Sequence, residues 1–169
     1  MAMRRLLLIF ALFPLPLFAQ SPNPLSNFGF LLGTWSATTA ATGSAGASVL
    51  GTYRFQTDLG GTVITRTSSA DTCKGPASFD CQHHDSLTIY RDMGDATPHA
   101  LYADSEGHVL HYDISFPDAN TVVFLTNAPG PRFRLIYHLA GGVMSGKFQM
   151  SPPGSTEFTS YLEWSGTKI

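Results

Sequence analysis

Polar and apolar residues alternate with period two along most of the chain from residue 49 onward. In residues 49–57, one face carries Gly51, Tyr53 and Phe55, and the other carries Thr52, Arg54 and Gln56. This alternation is typical of a strand that buries one face. No segment sustains the 3.6-residue period of an amphipathic helix. The pattern therefore predicts an all-β protein.

Turn signals rich in Gly, Pro, Asn and Asp divide this pattern into about ten strands. The first begins near Trp35, and the others are residues 49–57, 62–69, 86–91, 99–104, 108–116, 121–126, 132–139, 143–150 and 158–167. Consecutive strands joined by short connections form a meander, and ten strands remove their unpaired edges by closing. We therefore predict an antiparallel up-and-down barrel. A two-sheet sandwich and an outer-membrane barrel are the alternatives. The sandwich is disfavoured because the pattern has no long Greek-key return, and the outer-membrane barrel is disfavoured because the chain does not end in an aromatic girdle.

An unusually apolar segment precedes the first strand. Residues 27–35 read Asn-Phe-Gly-Phe-Leu-Leu-Gly-Thr-Trp. We interpret this segment as a compact apolar turn or short helix that plugs one end of the barrel. Gly33 would let the backbone pass close to a neighbour, and Trp35 would be the first large side chain of the core.

Composition indicates one ordinary globular domain and no polyelectrolyte partner. The 169 residues are 43% hydrophobic and 13% charged, with a formal net charge of −2. Because the basic residues are few and scattered, nucleic acid is not an expected partner. Residues 42–46 form a loop of small residues that we expect to be either a mobile lid or a plain connector.

The N-terminus has the pattern of a signal peptide. A short basic region ends at Arg5, residues 6–18 are apolar, and Ala19 suits a cleavage position. The apolar run is shorter than the roughly 20 residues of a spanning helix, so we expect no stable membrane insertion. We expect cleavage after residue 19, a single barrel domain over residues 20–169, and export to a periplasm or the medium.

Export determines how the two cysteines are interpreted. Cys73 and Cys81 enclose a short segment, and an exported protein meets an oxidising compartment, so a disulfide is expected. The alternative is zinc held together with His83 and His84. The spacing matches no usual zinc pattern, and adjacent histidines on a strand point to opposite faces, so we expect no metal site.

Three segments carry a resemblance to a known group. Leu-Leu-Gly-Thr-Trp at residues 31–35, ahead of a ten-stranded meander, resembles the opening of the calycin-type barrels, which include lipocalins, fatty-acid-binding proteins and nitrobindin-like domains. Residues 104–109 and 161–168 are similar to segments of exported bacterial domains of unknown function in that group. The resemblance implies ligand binding inside the barrel. It also implies that a basic residue, here Lys168, packs across the entry Trp35.

The same resemblance bears on cofactors. A nitrobindin-like haem site would need a proximal His close to the C-terminus, but the last histidine is His138. We therefore expect no cofactor, and haem is disfavoured.

Candidate ligand-binding residues come from predicted strand faces. If Glu106 and Gly107 form the turn of a hairpin, His111 lies opposite Tyr102, and Asp113 shares their face. Arg132 and Arg134 share a face of a later strand. These groups either lie on the solvated outside or hold a ligand, with the two arginines binding an anionic head. Trp35 and His108 complete this set. His108 follows a turn where a barrel mouth is expected, so it either contacts a ligand or is a turn residue hydrogen-bonded to Glu106 or Asp104.

The function expected from these residues is binding of a small, partly hydrophobic ligand. An alternative is a barrel enzyme in which Asp113 orients His111 and Tyr102 donates a proton. No nucleophile elbow, phosphate loop or metal-spaced His cluster completes such a site, so binding is favoured over enzyme activity, which stays an open alternative. A structural or protein-interaction role is the remaining alternative.

Overall fold

The computed structural model describes residues 25–39 and 46–169, which form one closed barrel. Its ten antiparallel strands pair in chain order, and the last pairs with the first. They are β1 Gly33–Thr39, β2 Ser48–Asp58, β3 Val63–Lys74, β4 Asp85–Arg91, β5 Pro98–Asp104, β6 Val109–Asp118, β7 Thr121–Thr126, β8 Arg132–Ala140, β9 Val143–Ser151 and β10 Thr159–Thr167. The predicted ten-stranded antiparallel up-and-down barrel is confirmed. β3 extends furthest beyond its predicted end.

Two sequence predictions lie wholly or mostly outside the described residues. These are the signal peptide at residues 1–19 and the loop at residues 42–46, of which only Gly46 is described. Among the described residues, no helix has the length and apolar character needed to cross a membrane.

The barrel closes along a seam between β1 and β10. The ladder places Thr38 opposite Ser165 and Thr39 opposite Trp164. Further along, the Ser36 hydroxyl accepts a hydrogen bond from the Thr167 amide at 2.9 Å and donates one to the Thr167 carbonyl at 3.1 Å. The Ile169 amide donates to the Thr34 carbonyl at 2.9 Å. The C-terminus is thus fixed against the first strand.

The apolar segment before β1 plugs the end of the barrel next to the start of β1. A short 3₁₀ helix, Ser26–Phe28, turns the chain so that Leu25, Phe28 and Leu31 are buried in the core. The Phe28 ring lies 4.9 Å from the ring of Phe116, centroid to centroid. The Trp35 indole Nε1 donates to the Leu31 carbonyl at 2.7 Å, which fixes the plug to the first strand. The interpretation of this segment as a plug is confirmed.

Gly33 sits where the plug meets the C-terminus. Its φ of +117° is one that residues with a side chain rarely adopt, and a Cβ there would lie 2.3 Å from Lys168 Cε. The Lys168 ammonium lies 5.7 Å from the centroid of the Trp35 ring, within reach of a cation–π contact. The packing of a terminal basic residue across the entry tryptophan is confirmed.

The opposite end of the barrel is its mouth, defined here by the mouth loop, residues 73–84, and the turn at residues 104–108. The expected disulfide between Cys73 and Cys81 is present, with a Cα–Cα distance of 5.6 Å. The Ser105 hydroxyl accepts from the His84 amide at 3.0 Å, and the Ser105 amide donates to the His84 carbonyl at 2.8 Å. The mouth loop is therefore held by one covalent bond and by hydrogen bonds to the neighbouring turn.

Within the plug, a fully buried side chain should contribute more to stability than a partly buried one. Phe28→Ala removes a side chain with no solvent exposure and should lower the free energy of unfolding by about 3–5 kcal/mol. Phe30→Ala makes the same change in the same segment at a partly buried position and should cost clearly less. Urea denaturation with the disulfide intact measures both, and equal losses would contradict the plug.

Candidate functional site

The barrel encloses a cavity of about 410 Å³ that extends toward the mouth. Strand alternation supplies its wall, because every second residue of each strand points inward. Most of this wall is apolar and aromatic: Leu110, Phe133, Leu135, Phe148, Leu162 and Trp164. A cavity of this size and lining suits a small organic molecule.

A buried arginine interrupts the apolar wall. On β3, Ile64, Arg66 and Ser68 share the inward face, and Arg66 is only 6% exposed. Its Nη2 forms an ion pair with Asp85 on β4, and its Nη1 donates to the Tyr137 hydroxyl at 3.0 Å. The Ser68 hydroxyl donates to the other carboxylate oxygen of Asp85. The buried charge is thus neutralised by a partner on the adjacent strand.

The cavity environment holds these side chains in one protonation state. Burial lowers the pKa of the Arg66 guanidinium. The interactions with Tyr137 and Asp85 together raise this pKa by more than burial lowers it, so the net shift is upward. Burial raises the pKa of the hydroxyls of Tyr53, Tyr112 and Tyr137 above that of an exposed tyrosine. At neutral pH the three tyrosines are therefore uncharged hydrogen-bonding groups beside a permanently charged arginine.

Three polar atoms in this wall make no hydrogen bond of ordinary length and angle with the described residues, although the Trp164 indole N–H approaches the Tyr53 hydroxyl closely enough to lower its pKa against the larger effect of burial. They are the hydroxyls of Tyr53 and Tyr112 and the Nε of Arg66, and all three are buried. Each belongs to a residue that lines the cavity. Buried polar groups without partners are rare because each costs free energy. These atoms mark the place where a bound molecule would find hydrogen-bonding groups.

A second polar network lies at the mouth. His83 Nδ1 lies 3.0 Å from Glu106 Oε1, and His83 Nε2 lies 3.1 Å from the Tyr102 hydroxyl oxygen. The Tyr102 hydroxyl donates to Asp104 at 3.2 Å, and Asp104 also contacts His108 Nδ1 at 3.0 Å. Burial raises the pKa of Asp104, but hydrogen bonds from His108 and Tyr102 lower it below its usual value. The network joins the mouth loop to the turn beside it.

Part of this network has the residue types of a metal site. Within the described part of the chain, Asp80, His83 and Glu106 bring ligand atoms within 4.8 Å of one another. All three residues are exposed, and His83 and Glu106 already contact each other. The cluster is therefore part of the polar rim of the cavity.

The predicted register of the β5–β6 hairpin is wrong by one residue. Tyr102 lies opposite Leu110, and His111 lies opposite Leu101. A one-residue shift moves a side chain to the other face, so Tyr102 points inward and lines the cavity, whereas His111 lies outside. The cause is the turn: the Asp104 carboxylate accepts from the amides of Glu106 and His108 and holds a wider loop than the predicted two-residue turn.

Asp113 is not joined to His111 by any contact within the described residues. Its Oδ1 accepts from the Asn127 side chain at 3.0 Å and lies 3.3 Å from His99 Nδ1. His99 also contacts Asp95 at 3.2 Å. The hydrogen bond to Asp95 is the main cause of the raised pKa of His99. Burial lowers this pKa, and the contact with Asp113 raises it. The carboxylate that was expected to orient His111 thus faces another histidine on the outer surface.

Arg132 and Arg134 also lie outside the cavity. On β8, the inward positions are Phe133 and Leu135, and the arginines occupy the alternate face. Both guanidinium groups pack over the Phe158 ring, at 5.5 Å and 4.0 Å from its centroid. The Nε of Arg134 donates to Gln149 at 2.9 Å. This surface cluster stands apart from the polar groups of the cavity.

The remaining candidate residues divide between the two ends of the barrel. His108 lines the mouth of the cavity, whereas Trp35 belongs to the plug and is absent from the cavity wall. His138, which was considered only as a haem ligand, points outward and contacts Thr121 at 2.7 Å. Of the seven candidates, the structure brings Tyr102 and His108 to the cavity.

Sequence reasoning missed Arg66 and Asp85. The signal for Arg66 was present, because it shares a strand face with the apolar Ile64. Asp85, however, lies beyond the mouth loop, and its pairing with Arg66 depends on the register between β3 and β4. Only the folded sheet brings the two charges together.

Comparison with known proteins gives a structural similarity and no family. No family model matches the sequence, and no curated protein matches it. Among solved structures, the chain is similar to a Schistosoma mansoni fatty acid binding protein in complex with arachidonic acid, with 12% sequence identity over 85% of this chain and 98% of that chain and a TM-score of 0.48. Identity this low leaves the ligand to be argued from this chain's own cavity.

Breaking the buried ion pair should destabilise the barrel. Arg66→Met leaves the largely buried Asp85 without its charged partner and should cost about 3–5 kcal/mol, whereas Arg66→Met with Asp85→Leu should recover most of that loss. Arg54→Met, on the exposed face of β2, is the matched control and should change stability by less than about 0.5 kcal/mol. Urea unfolding checks all three variants, and a single mutant as stable as the control would refute the pair's role.

The His99 contacts predict a pH-dependent contribution to stability. Because the folded-state pKa of His99 is raised, its stabilising effect should be complete below about pH 6.5 and lost as the pH rises through the folded value. The stability difference between wild type and His99→Gln should therefore be larger at pH 5.5 than at pH 8.5. Thermal or urea unfolding over this range measures it.

The control for this experiment is His111→Gln, since no carboxylate contacts His111 among the described residues. A difference between wild type and His99→Gln that stays constant from pH 5.5 to 8.5 would show that the contacts of His99 with Asp95 and Asp113 contribute no pH-dependent stability.

Proposed function

We propose that this protein is an exported binding protein that holds a small, partly apolar molecule inside its barrel. The observation that carries the proposal is the cavity itself, about 410 Å³ in volume with an apolar wall and a buried polar cluster. Cavities that bind small molecules usually measure about 300–1,000 Å³ and place a few polar groups in an apolar lining.

The arrangement of the two barrel ends supports uptake at the mouth. The plug and the terminal seam fill the end near Trp35, whereas exposed residues such as Asp80, Glu106 and His108 line the other end of the cavity. A ligand therefore enters past the mouth loop and reaches the region around Arg66.

Two features support export. Residues 1–19 have the basic and apolar regions of a signal peptide, and the Cys73–Cys81 disulfide suits an oxidising compartment. The protein then acts in a periplasm or outside the cell.

Binding is favoured over catalysis by the positions of the candidate catalytic groups. His111 is exposed on the outer face, and Asp113 is bonded to Asn127 and His99. Neither side chain lines the cavity, so neither is placed to act on a molecule bound there.

Filling the cavity should block binding. Ala37 lines the cavity on β1, and Ala37→Trp should weaken binding of the uncharged apolar dye Nile red by at least about tenfold, because the indole occupies the ligand's space. Thr38→Trp adds the same ring on the outer face of the same strand and is the matched control. A fluorescence titration measures both, with circular dichroism to verify folding.

Undiminished dye binding by folded Ala37→Trp, or equal losses in the two variants, would place the dye outside the barrel and contradict the proposal.

A further inference from the structure

We infer that the molecule held in the cavity is uncharged and carries a hydrogen-bond acceptor, such as a carbonyl oxygen, that contacts the polar cluster around Arg66. This inference rests on the proposed function and specifies the chemical class of the ligand. It differs from the anionic head group that Arg132 and Arg134 suggested from sequence.

The unpaired atoms of the cluster call for an acceptor. Arg66 Nε–H can only donate a hydrogen bond, and the free hydroxyls of Tyr53 and Tyr112 can also donate. Tyr53 and Arg66 are linked through Tyr137, whose ring lies 5.8 Å from that of Tyr53 and whose hydroxyl binds Arg66 Nη1. An oxygen acceptor placed here satisfies donors that are otherwise buried without partners.

The charge of Arg66 is already balanced. Its Nη2 pairs with Asp85, which is itself 13% exposed, and Asp85 is further held by the Ser68 hydroxyl. A carboxylate ligand would have to compete with Asp85 for the same guanidinium in a buried site. An uncharged oxygen can instead use the unpaired Nε without disturbing the pair.

The rim of the cavity also disfavours an anion. The acidic residues Asp80, Asp104 and Glu106 line the mouth, and no lysine and no arginine other than Arg66 is among the described residues that line the cavity. A negatively charged ligand would pass three carboxylates to reach one neutralised arginine. Like charges at short range raise the free energy of the complex.

The apolar part of the site is largely aromatic. Phe133 and Phe148 stack with their ring planes 3° apart and their centroids separated by 5.8 Å. Trp164 and Tyr161 extend this surface within the cavity wall. Flat walls of this kind favour a planar apolar body, so a naphthalene ring is a suitable probe skeleton.

Three probes of similar shape test the head group: 2-acetylnaphthalene carries an uncharged carbonyl, 2-naphthoate carries a carboxylate, and 2-ethylnaphthalene carries no acceptor. Their affinities are measured by displacement of Nile red at pH 7.5. We expect 2-acetylnaphthalene to bind about tenfold more tightly than 2-ethylnaphthalene, the effect of one hydrogen bond in a buried site. We expect 2-naphthoate to bind more weakly than 2-acetylnaphthalene.

Variants of the cluster connect this preference to named atoms. Tyr112→Phe removes an unpaired hydroxyl and should reduce the affinity ratio of 2-acetylnaphthalene to 2-ethylnaphthalene by about fivefold. Its melting temperature without ligand should not fall, because no hydrogen bond is lost. Tyr90→Phe makes the same change on the outer face of β4 and should leave the ratio unaltered. Tyr53→Phe is the second test if Tyr112→Phe does not fold.

The outcomes separate this inference from the proposed function. Tightest binding by 2-naphthoate, or an unchanged ratio in both Tyr112→Phe and Tyr53→Phe, would overturn the uncharged acceptor while leaving the binding cavity intact. Failure of the folded wild type to bind Nile red and all three probes would overturn the proposed function itself.

Discussion

Closure of the sheet is the constraint on which the rest of the structure depends. The pairing of β1 with β10 converts a ribbon of ten strands into a barrel with an inside. Gly166 makes close approach at this seam possible, because a Cβ there would lie 1.8 Å from the Ser36 carbonyl oxygen. Without closure, the inward residues of each strand would face water, and Arg66 and Asp85 would be ordinary surface charges.

The local alternation of residues was sufficient to predict the barrel but not its interior. Alternation identifies the two faces of a strand, and turn residues locate its ends. The pairing across a hairpin depends on how many residues the turn holds, and here the Asp104 carboxylate sets that number. The plug was predictable because its apolar residues are contiguous, whereas the position of Tyr102 required the register.

The buried ion pair illustrates a second limit of sequence reasoning. Arg132 and Arg134 are conspicuous because they are close together, yet they pack on Phe158 outside the barrel. Arg66 is a single arginine in a polar strand, and its partner arrives from beyond the disulfide. A charge is stable inside a protein when a partner compensates it, and partners distant in sequence are found only in the fold.

The plug and the mouth lie at opposite ends of one wall, which has a consequence for how such a protein can change. The groups that hold the barrel together around Trp35, Phe28 and Lys168 contribute nothing to the rim of the cavity. Under the proposed function, substitutions of rim side chains outside the Cys73–Cys81 disulfide would change ligand selection without touching the plug. Divergence in evolution, or redesign in the laboratory, can accumulate at one end of the molecule while the other end keeps it folded.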